Sequence, residues 1–258
     1  MSDEAKVLTE VRGRTLLITI NRPEARNAVN GDVASGIEAA IDELEQNDEL
    51  WTGVLTGNGP VFSAGADLKA INSGQAGGLQ TERGGFGGFV QRERTKPVIA
   101  ALNGPALAGG CELAIACDLI VAPEGGKIGI PEVKRSLIAL AGGLVRLPRL
   151  IGKNAALELA MTGEPFSTER MYELGLVNRV VSAERVLSTA LELADKINEA
   201  APLAVRASRQ TVLQTEGMEE SAGFAKGGEL VAPVFRSEDF AEGPLAFIEK
   251  RAPNWKAK

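Results

Sequence analysis

The feature that most restricts the fold is a series of short β-branched segments recurring through the first two-thirds of the chain. They cover residues 7–11, 15–20, 52–56, 98–102, 118–122 and 127–130, with 177–181 later. They are rich in Val, Ile, Leu and Thr and bounded by Gly, Pro or Asn, the pattern of strands closed by turns. Helical patterns lie between some of them. In residues 32–46, Val33, Ile37, Ala40, Ile41 and Leu44 fall on one face, with Glu and Asp opposite. After about Gly142 the pattern turns mostly helical, over residues 144–150, 154–161, 168–174, 183–198, 203–214 and 218–231, and Pro244 reads as the start of a last short helix ending near Lys250. An α/β body followed by a helical C-terminal part fits this order. No Ser-rich linker or long charge run marks an independent second domain.

Composition removes several function classes. Hydrophobic residues at 44% and charged residues at 24% are ordinary globular values. With 28 Lys+Arg against 34 Asp+Glu the formal charge is -6, which argues against nucleic acid or an anionic membrane as an obligate partner. The N-terminal MSDEAKVLTEVRGR is acidic where a signal peptide is basic, and no apolar run approaches the roughly 18 residues that cross a bilayer. A cytoplasmic protein is expected. Cys111 and Cys117 lie in an apolar stretch and read as buried thiols rather than a disulfide framework.

The chain contains no histidine. That excludes a Ser-His-Asp triad, a Cys-His pair and any His-ligated zinc site, so no metal site is predicted. Acid–base chemistry falls to carboxylates, Lys, Tyr or Cys. A glycine-rich stretch, residues 72–88, reads as an irregular surface loop at a pocket edge or lid. It lacks the preceding strand and the Gly-Lys-Ser/Thr ending of a phosphate loop.

Three segments carry the chemistry: residues 21–28 (NRPEARNA), 62–69 (FSAGADLK) and 102–118 (LNGPALAGGCELAIACD). Each sets small residues between a strand and a helix start, where backbone N–H groups lack intrahelical partners and the helix dipole is positive. Two such starts facing each other make an oxyanion hole from main-chain amides. Glu112 opens the apolar run CELAIAC, where a free carboxylate is costly. Glu132 follows in the strand-like IGIPEV and, taken alone, reads as an exposed partner of Lys134 or Arg135 rather than a catalytic group. Two carboxylates in one pocket can divide acid and base roles if their environments separate their pKa values.

These three segments, with Pro131–Glu132 and the AGG at 141–143, closely resemble the enoyl-CoA hydratase/isomerase (crotonase) family, in order, from NRPEARNA to the terminal EGPLAFIEKRAPNW. The resemblance implies a crotonase-like α/β spiral of ββα units over residues 1–195 and a C-terminal helical trimerisation part over 196–258. The implied partners are an acyl-CoA substrate and further copies of the chain, as a homotrimer or dimer of trimers. It places the thioester oxygen on the amides of Ala66 and Gly109 and matches Glu112 and Glu132 to the two catalytic glutamates of true hydratases. Arg26 and Ala28 match the CoA adenine and phosphate region, and Ala64, Asp67 and Leu68 the pantetheine wall. Pro131 and Leu140 fall on the substrate side, and Lys250 matches a residue that reaches CoA phosphates, in the family often from a neighbouring subunit. No separate cofactor is implied, since coenzyme A arrives as part of the substrate.

Two departures bear on the acyl group. Ala108 stands where hydratases commonly have the first glycine of GGGCE, and Leu140 where they have a glycine. The run after Gly142 and the C-terminus are also similar to the carnitinyl-CoA dehydratase branch. The resemblance implies reversible hydration of trans-2-enoyl-CoA. Its rivals are a carnitinyl-CoA dehydratase-like lyase, an enoyl-CoA isomerase, which needs only one base, and a non-catalytic acyl-CoA-binding protein.

Overall fold

A computed structural model describes residues 5–258. Residues 1–4, which begin the acidic N-terminal stretch read above, lie outside the described residues. In chain order the strands are β1 (Val7–Arg12), β2 (Thr15–Ile20), β3 (Thr52–Gly57), β4 (Gln80–Thr81), β5 (Gly85–Phe86), β6 (Val98–Ala101), β7 (Ala106–Leu107), β8 (Leu119–Pro123), β9 (Lys127–Gly129), β10 (Phe166–Ser167) and β11 (Arg179–Val181). The helices are α1 (Gly31–Gln46), α2 (Leu68–Asn72), α3 (Gly109–Ala116), α4 (Gly143–Leu150), α5 (Lys153–Thr162), α6 (Thr168–Glu173), α7 (Val186–Asn198), α8 (Pro202–Thr215), α9 (Glu220–Val231) and α10 (Glu238–Glu249).

The larger sheet has the order β1-β2-β3-β6-β8-β11. β1 is antiparallel to β2 and every other neighbouring pair is parallel. A second, smaller sheet runs β10-β9-β7 and is continued by single-residue bridges, Ser63 to Ala106 and Val29 to Ala66. The chain therefore visits both sheets on each circuit: β2 then Val29, β3 then Ser63 and Ala66, β6 then β7, β8 then β9. This is the spiral of ββα units that the resemblance implies.

The inner strands β2, β3, β6 and β8 are mostly apolar because both of their faces are buried, whereas the edge strand β1 is exposed. Leu16, Ile18, Leu55, Val98 and Ala100 point into the main core. Their neighbours Leu17, Val54, Ile99, Ala101 and Val121 point outward and are covered by Val186, Ala190 and Ala194 of α7. Leu17, Val54 and Ile99 lie in register across β2, β3 and β6. On α1, capped by Asn30 Oδ1 accepting from the Val33 amide at 3.0 Å, the predicted stripe Val33, Ile37, Ala40, Ile41 and Leu44 is buried.

Two readings are corrected. Residues 72–88 are not irregular throughout, since a 3-10 turn (Ala76–Leu79) leads into a β4–β5 hairpin. The hairpin is held on α1 by Thr81 Oγ1 donating to Glu38 at 2.8 Å and by Arg83 and Arg92 pairing with Asp42 at 2.6 and 2.5 Å. Gly88 makes this contact possible: at φ 65, a Cβ there would lie 2.1 Å from the Ala34 carbonyl oxygen. The last helix starts at Glu238, ahead of Pro244, which sits inside it. Ser237 Oγ accepts from the Phe240 amide at 3.1 Å, and Glu238 and Asp239 favour the helix dipole. Together these outweigh the one amide donor lost at Pro244.

The boundary expected between residues 195 and 196 falls in the last turn of α7, and residues 199–201 join α7 to α8. α8 is bolted to the body by charge. Arg209 Nε donates to Asp118 Oδ1 at 2.8 Å and Nη1 to the Arg94 carbonyl at 2.7 Å, while Arg94 pairs with Asp118 Oδ2 at 3.2 Å. All three side chains are 15% exposed or less. Removing one partner of a buried pair strands the other charge, so Arg209→Ala should cost about 3 kcal/mol. Urea denaturation at fixed protein concentration measures it, and a cost below about 1 kcal/mol, the surface-pair range, contradicts the docking described.

Candidate active site

Three segments close on one cleft of about 1080 Å3. The first is the turn after β2, where Arg26 and Asn27 both adopt left-handed backbone, each at φ 53, a conformation costing non-glycine residues roughly 1–2 kcal/mol. Asn27 is fully buried. Its Nδ2 donates to the Asn58 and Val61 carbonyls at 2.9 and 2.7 Å, and its Oδ1 accepts from the Arg22 amide at 2.9 Å. Ser63 Oγ donates to its carbonyl at 2.8 Å. The turn is thereby fixed against the segment after β3, with Arg26 and Ala28 on the cleft wall.

The second segment runs through Ala64, Ala66, Asp67 and Leu68, all lining the cleft. In the bridge to Val29, the Val29 amide donates to Gly65 at 2.8 Å and the Asp67 amide to Val29 at 2.9 Å. The intervening Ala66 amide has no acceptor among the described residues. The Asp67 carboxylate is occupied within the wall: it pairs with Arg22 at 3.0 Å and caps α2 through the Lys69 amide at 3.0 Å. Burial pushes it up, but Arg22 and the α2 amides prevail and hold it below the usual carboxylate range.

The third segment is the start of α3. Gly109 is its first residue, and its amide likewise has no acceptor among the described residues, as expected for a helix N-terminus. The two segments approach closely: a Cβ on Gly65 would lie 2.6 Å from the Gly109 nitrogen, and one on Gly109 would lie 2.5 Å from the Phe86 ring. Ala108, just before, has φ 54 and ψ -130, a region favouring glycine and strained for alanine.

Glu112 lies in the first turn of α3 and is 3% exposed. Its Oε1 accepts from the Gly143 amide, the first of α4, at 2.9 Å. Burial pushes its carboxyl up to about 7; the Gly143 amide opposes the shift and the Glu132 charge adds to it. Glu132 is not on a strand, because β9 ends at Gly129 and Pro131 opens a 3-10 turn (Pro131–Arg135) that carries it. Lys134 pairs with Glu164 instead. Burial pushes the Glu132 carboxyl up too, and its Oε2 is buried without a hydrogen-bond partner.

Glu112, Glu132, Pro131 and Leu140 line the same cleft as Ala66 and Gly109. Lys250 does not line it: it ends α10 in left-handed backbone, its amide turned to the Ala246 and Phe247 carbonyls. Residues not singled out from sequence include Phe86 and Val90 on the wall and Arg146, whose guanidinium donates to the Val90 carbonyl. Asn27 and Gly143 sat within quoted motifs, and their roles needed long-range partners to become visible. Chemically, the two amides can polarise one carbonyl oxygen, while two carboxyl groups whose hold on the proton is strengthened by burial can exchange protons beside it.

The raised pKa of Glu112 is also a statement about stability. A carboxyl titrating at about 7 when folded and near 4.5 when unfolded binds its proton more tightly in the native state, so stability is lost as pH rises from the lower value to the higher. Glu112→Gln removes that loss. The variant should be more stable than the parent by about 2–3 kcal/mol at pH 8 and equal to it near pH 4. Denaturant midpoints across pH measure this, and a pH-independent difference contradicts the assignment.

Comparison with known proteins extends these observations. The family described as Enoyl-CoA hydratase/isomerase matches residues 10–258. Enoyl-CoA hydratase EchA19 of Mycobacterium tuberculosis is 41% identical over 96% of this chain and 95% of its own length. The carnitinyl-CoA dehydratase of Salmonella typhi is 40% identical over 95% and 96%. The crystal structure of an enoyl-CoA hydratase from Mycobacterium tuberculosis H37Rv superposes with a TM-score of 0.95 at 47% identity, covering 99% of this chain and 100% of its own. With sequence and fold matched over nearly its whole length, this chain belongs to the enoyl-CoA hydratase/isomerase family.

Proposed function

We propose that this protein is an enoyl-CoA hydratase, adding water reversibly across the C2–C3 double bond of a trans-2-enoyl-CoA to give a 3-hydroxyacyl-CoA. The observation that carries the reading is that Glu112 and Glu132 line the same cleft as two amides, of Ala66 and Gly109, that have no acceptor among the described residues. The amides hold the thioester oxygen as enolate-like charge develops, a contribution of about 3 kcal/mol per donor. Glu112 takes a proton from water as its oxygen bonds to C3, and Glu132 gives a proton to C2. Addition of one water leaves the pair's proton count unchanged. Arg26, Lys69, Lys134 and Arg135 on the cleft wall supply positive charge suited to the phosphates of coenzyme A.

Glu112→Gln and Glu132→Gln should each lower kcat for crotonyl-CoA hydration by two or more orders of magnitude with acyl-CoA affinity largely kept, as for groups acting in the transition state. Since the base must be ionised, kcat/KM of the parent should fall as pH drops below about 7, the value to which burial raises Glu112. Undiminished hydration in both variants ends this mechanism. A second reading, a carnitinyl-CoA dehydratase-like lyase, is supported by the near-equal identity to relatives of both kinds and by Leu140, 79% exposed on the cleft lip. Product analysis with 2-enoyl-, 3-enoyl- and carnitinyl-CoA separates hydratase, isomerase and dehydratase.

The reading extends to assembly. Phe224, Phe235, Phe247 and Ile248 on and between α9 and α10 are 60% exposed or more, apolar surface that a lone soluble chain rarely leaves open. This supports a homotrimer or dimer of trimers built through the C-terminal helices, in which Lys250 serves a neighbour's substrate. A cytoplasmic role in fatty acid metabolism goes with it, and no helix of the described residues is long and apolar enough to cross a membrane. Sedimentation equilibrium should give three or six chains per particle, and a monomer at micromolar concentration refutes the assembly.

A further inference from the structure

Arg146, in the first turns of α4, folds back over Gly142, next to the Gly143 amide that holds Glu112. One guanidinium nitrogen donates to the Val90 carbonyl and the other reaches the Ala141 carbonyl at 3.5 Å. Val90 and Ala141 both line the cleft, one in the segment after the β4–β5 hairpin and one just ahead of α4. The reach depends on Gly142, where a Cβ would lie 2.3 Å from Arg146 Nη1. The charged groups acting on the Glu112 carboxylate are Glu132 from the 3-10 turn and Arg146 from α4. Arg146 makes no ion pair within 4.0 Å among the described residues. Its charge acts on Glu112 through space while its N–H groups are spent on the two walls. Burial pulls the guanidinium down and Glu112 pushes it back up, so the two groups favour each other's charged forms.

We propose that Arg146 is a positioning residue: it ties together the two walls flanking Glu112 and presents a positive charge to that carboxylate. The proposal rests on Glu112 being the base. It separates the two tasks of one side chain, because lysine keeps the charge without the planar fork and glutamine keeps a polar donor without the charge.

The test compares Arg146→Lys and Arg146→Gln with the parent, reading the Glu112 titration by 13C NMR of labelled carboxyl groups, assigned with Glu112→Gln, and the pH profile of kcat/KM for crotonyl-CoA. Without the facing charge, Glu112 ionises less readily. In Arg146→Gln the titration and the acid limb should both move to higher pH, with kcat down about tenfold or more. In Arg146→Lys the titration should stay at the parental position while kcat falls. An unmoved Glu112 titration in Arg146→Gln, or an equal rise in both variants, overturns the proposal. The NMR readout holds even if crotonyl-CoA is not hydrated, so failure of the base assignment is seen separately. If Arg146→Gln does not fold, the parental titration expected of Arg146→Lys, with lowered kcat, decides.

Discussion

The hydrogen bond from the Gly143 amide to Glu112 Oε1, at 2.9 Å, is where the demands of the fold and of the chemistry meet. A carboxylate that is 3% exposed would ordinarily stay protonated or be excluded from the interior. Here α4 points its first amide at it, and the positive end of the helix dipole adds to that bond. The help is incomplete, since burial still dominates and the carboxyl titrates at about 7. A fully compensated glutamate would be a poor proton acceptor, and an uncompensated one would never ionise. The arrangement also leaves little room: a Cβ on Gly143 would lie 3.1 Å from the Glu112 oxygen.

The spiral explains why two unpaired amides end beside that carboxylate. A parallel bridge engages alternate residues of a strand. Pairing Val29 with Ala66 therefore uses the Gly65 carbonyl and Asp67 amide and turns the Ala66 amide the other way. One circuit later the chain enters α3, and the first helical amide, at Gly109, is unpaired by the geometry of helices alone. Ala108 makes that entry in a strained backbone, held by its amide donating to the Gly129 carbonyl at 2.9 Å.

Much of this was legible in the chain. The strands and the buried stripe of α1 follow from local periodicity; small residues between strand and helix start single out the three segments, and the resemblance to the family picks Ala66 and Gly109 within them. Glu132 was harder: the apolar IGI suggests a strand continuing past it, and only Pro131 signals the turn that carries it. Asn27 reads as an ordinary turn residue, because its partners Asn58, Val61 and Ser63 lie 31 to 36 positions away. Arg146, inside the run GLVRLP, resembles the wet face of a helix until Val90, 56 positions earlier, is seen beneath it. Periodicity reports which side of an element is covered. It does not report which distant carbonyl a polar tip will meet.

The ion cluster joining α8 to the body has a consequence for how the protein is made. Asp118 closes the far end of the helix that begins at Gly109, yet its partner Arg209 is 91 positions downstream. While the chain emerges from the ribosome, the residues ahead of α8 can condense around the large sheet with Asp118 already paired to Arg94, and the second guanidinium of the cluster arrives only with α8. Long-separated contacts of this kind close late and slowly. The joint that fixes the C-terminal helices to the body can thus close only after about four-fifths of the 258 residues have been made.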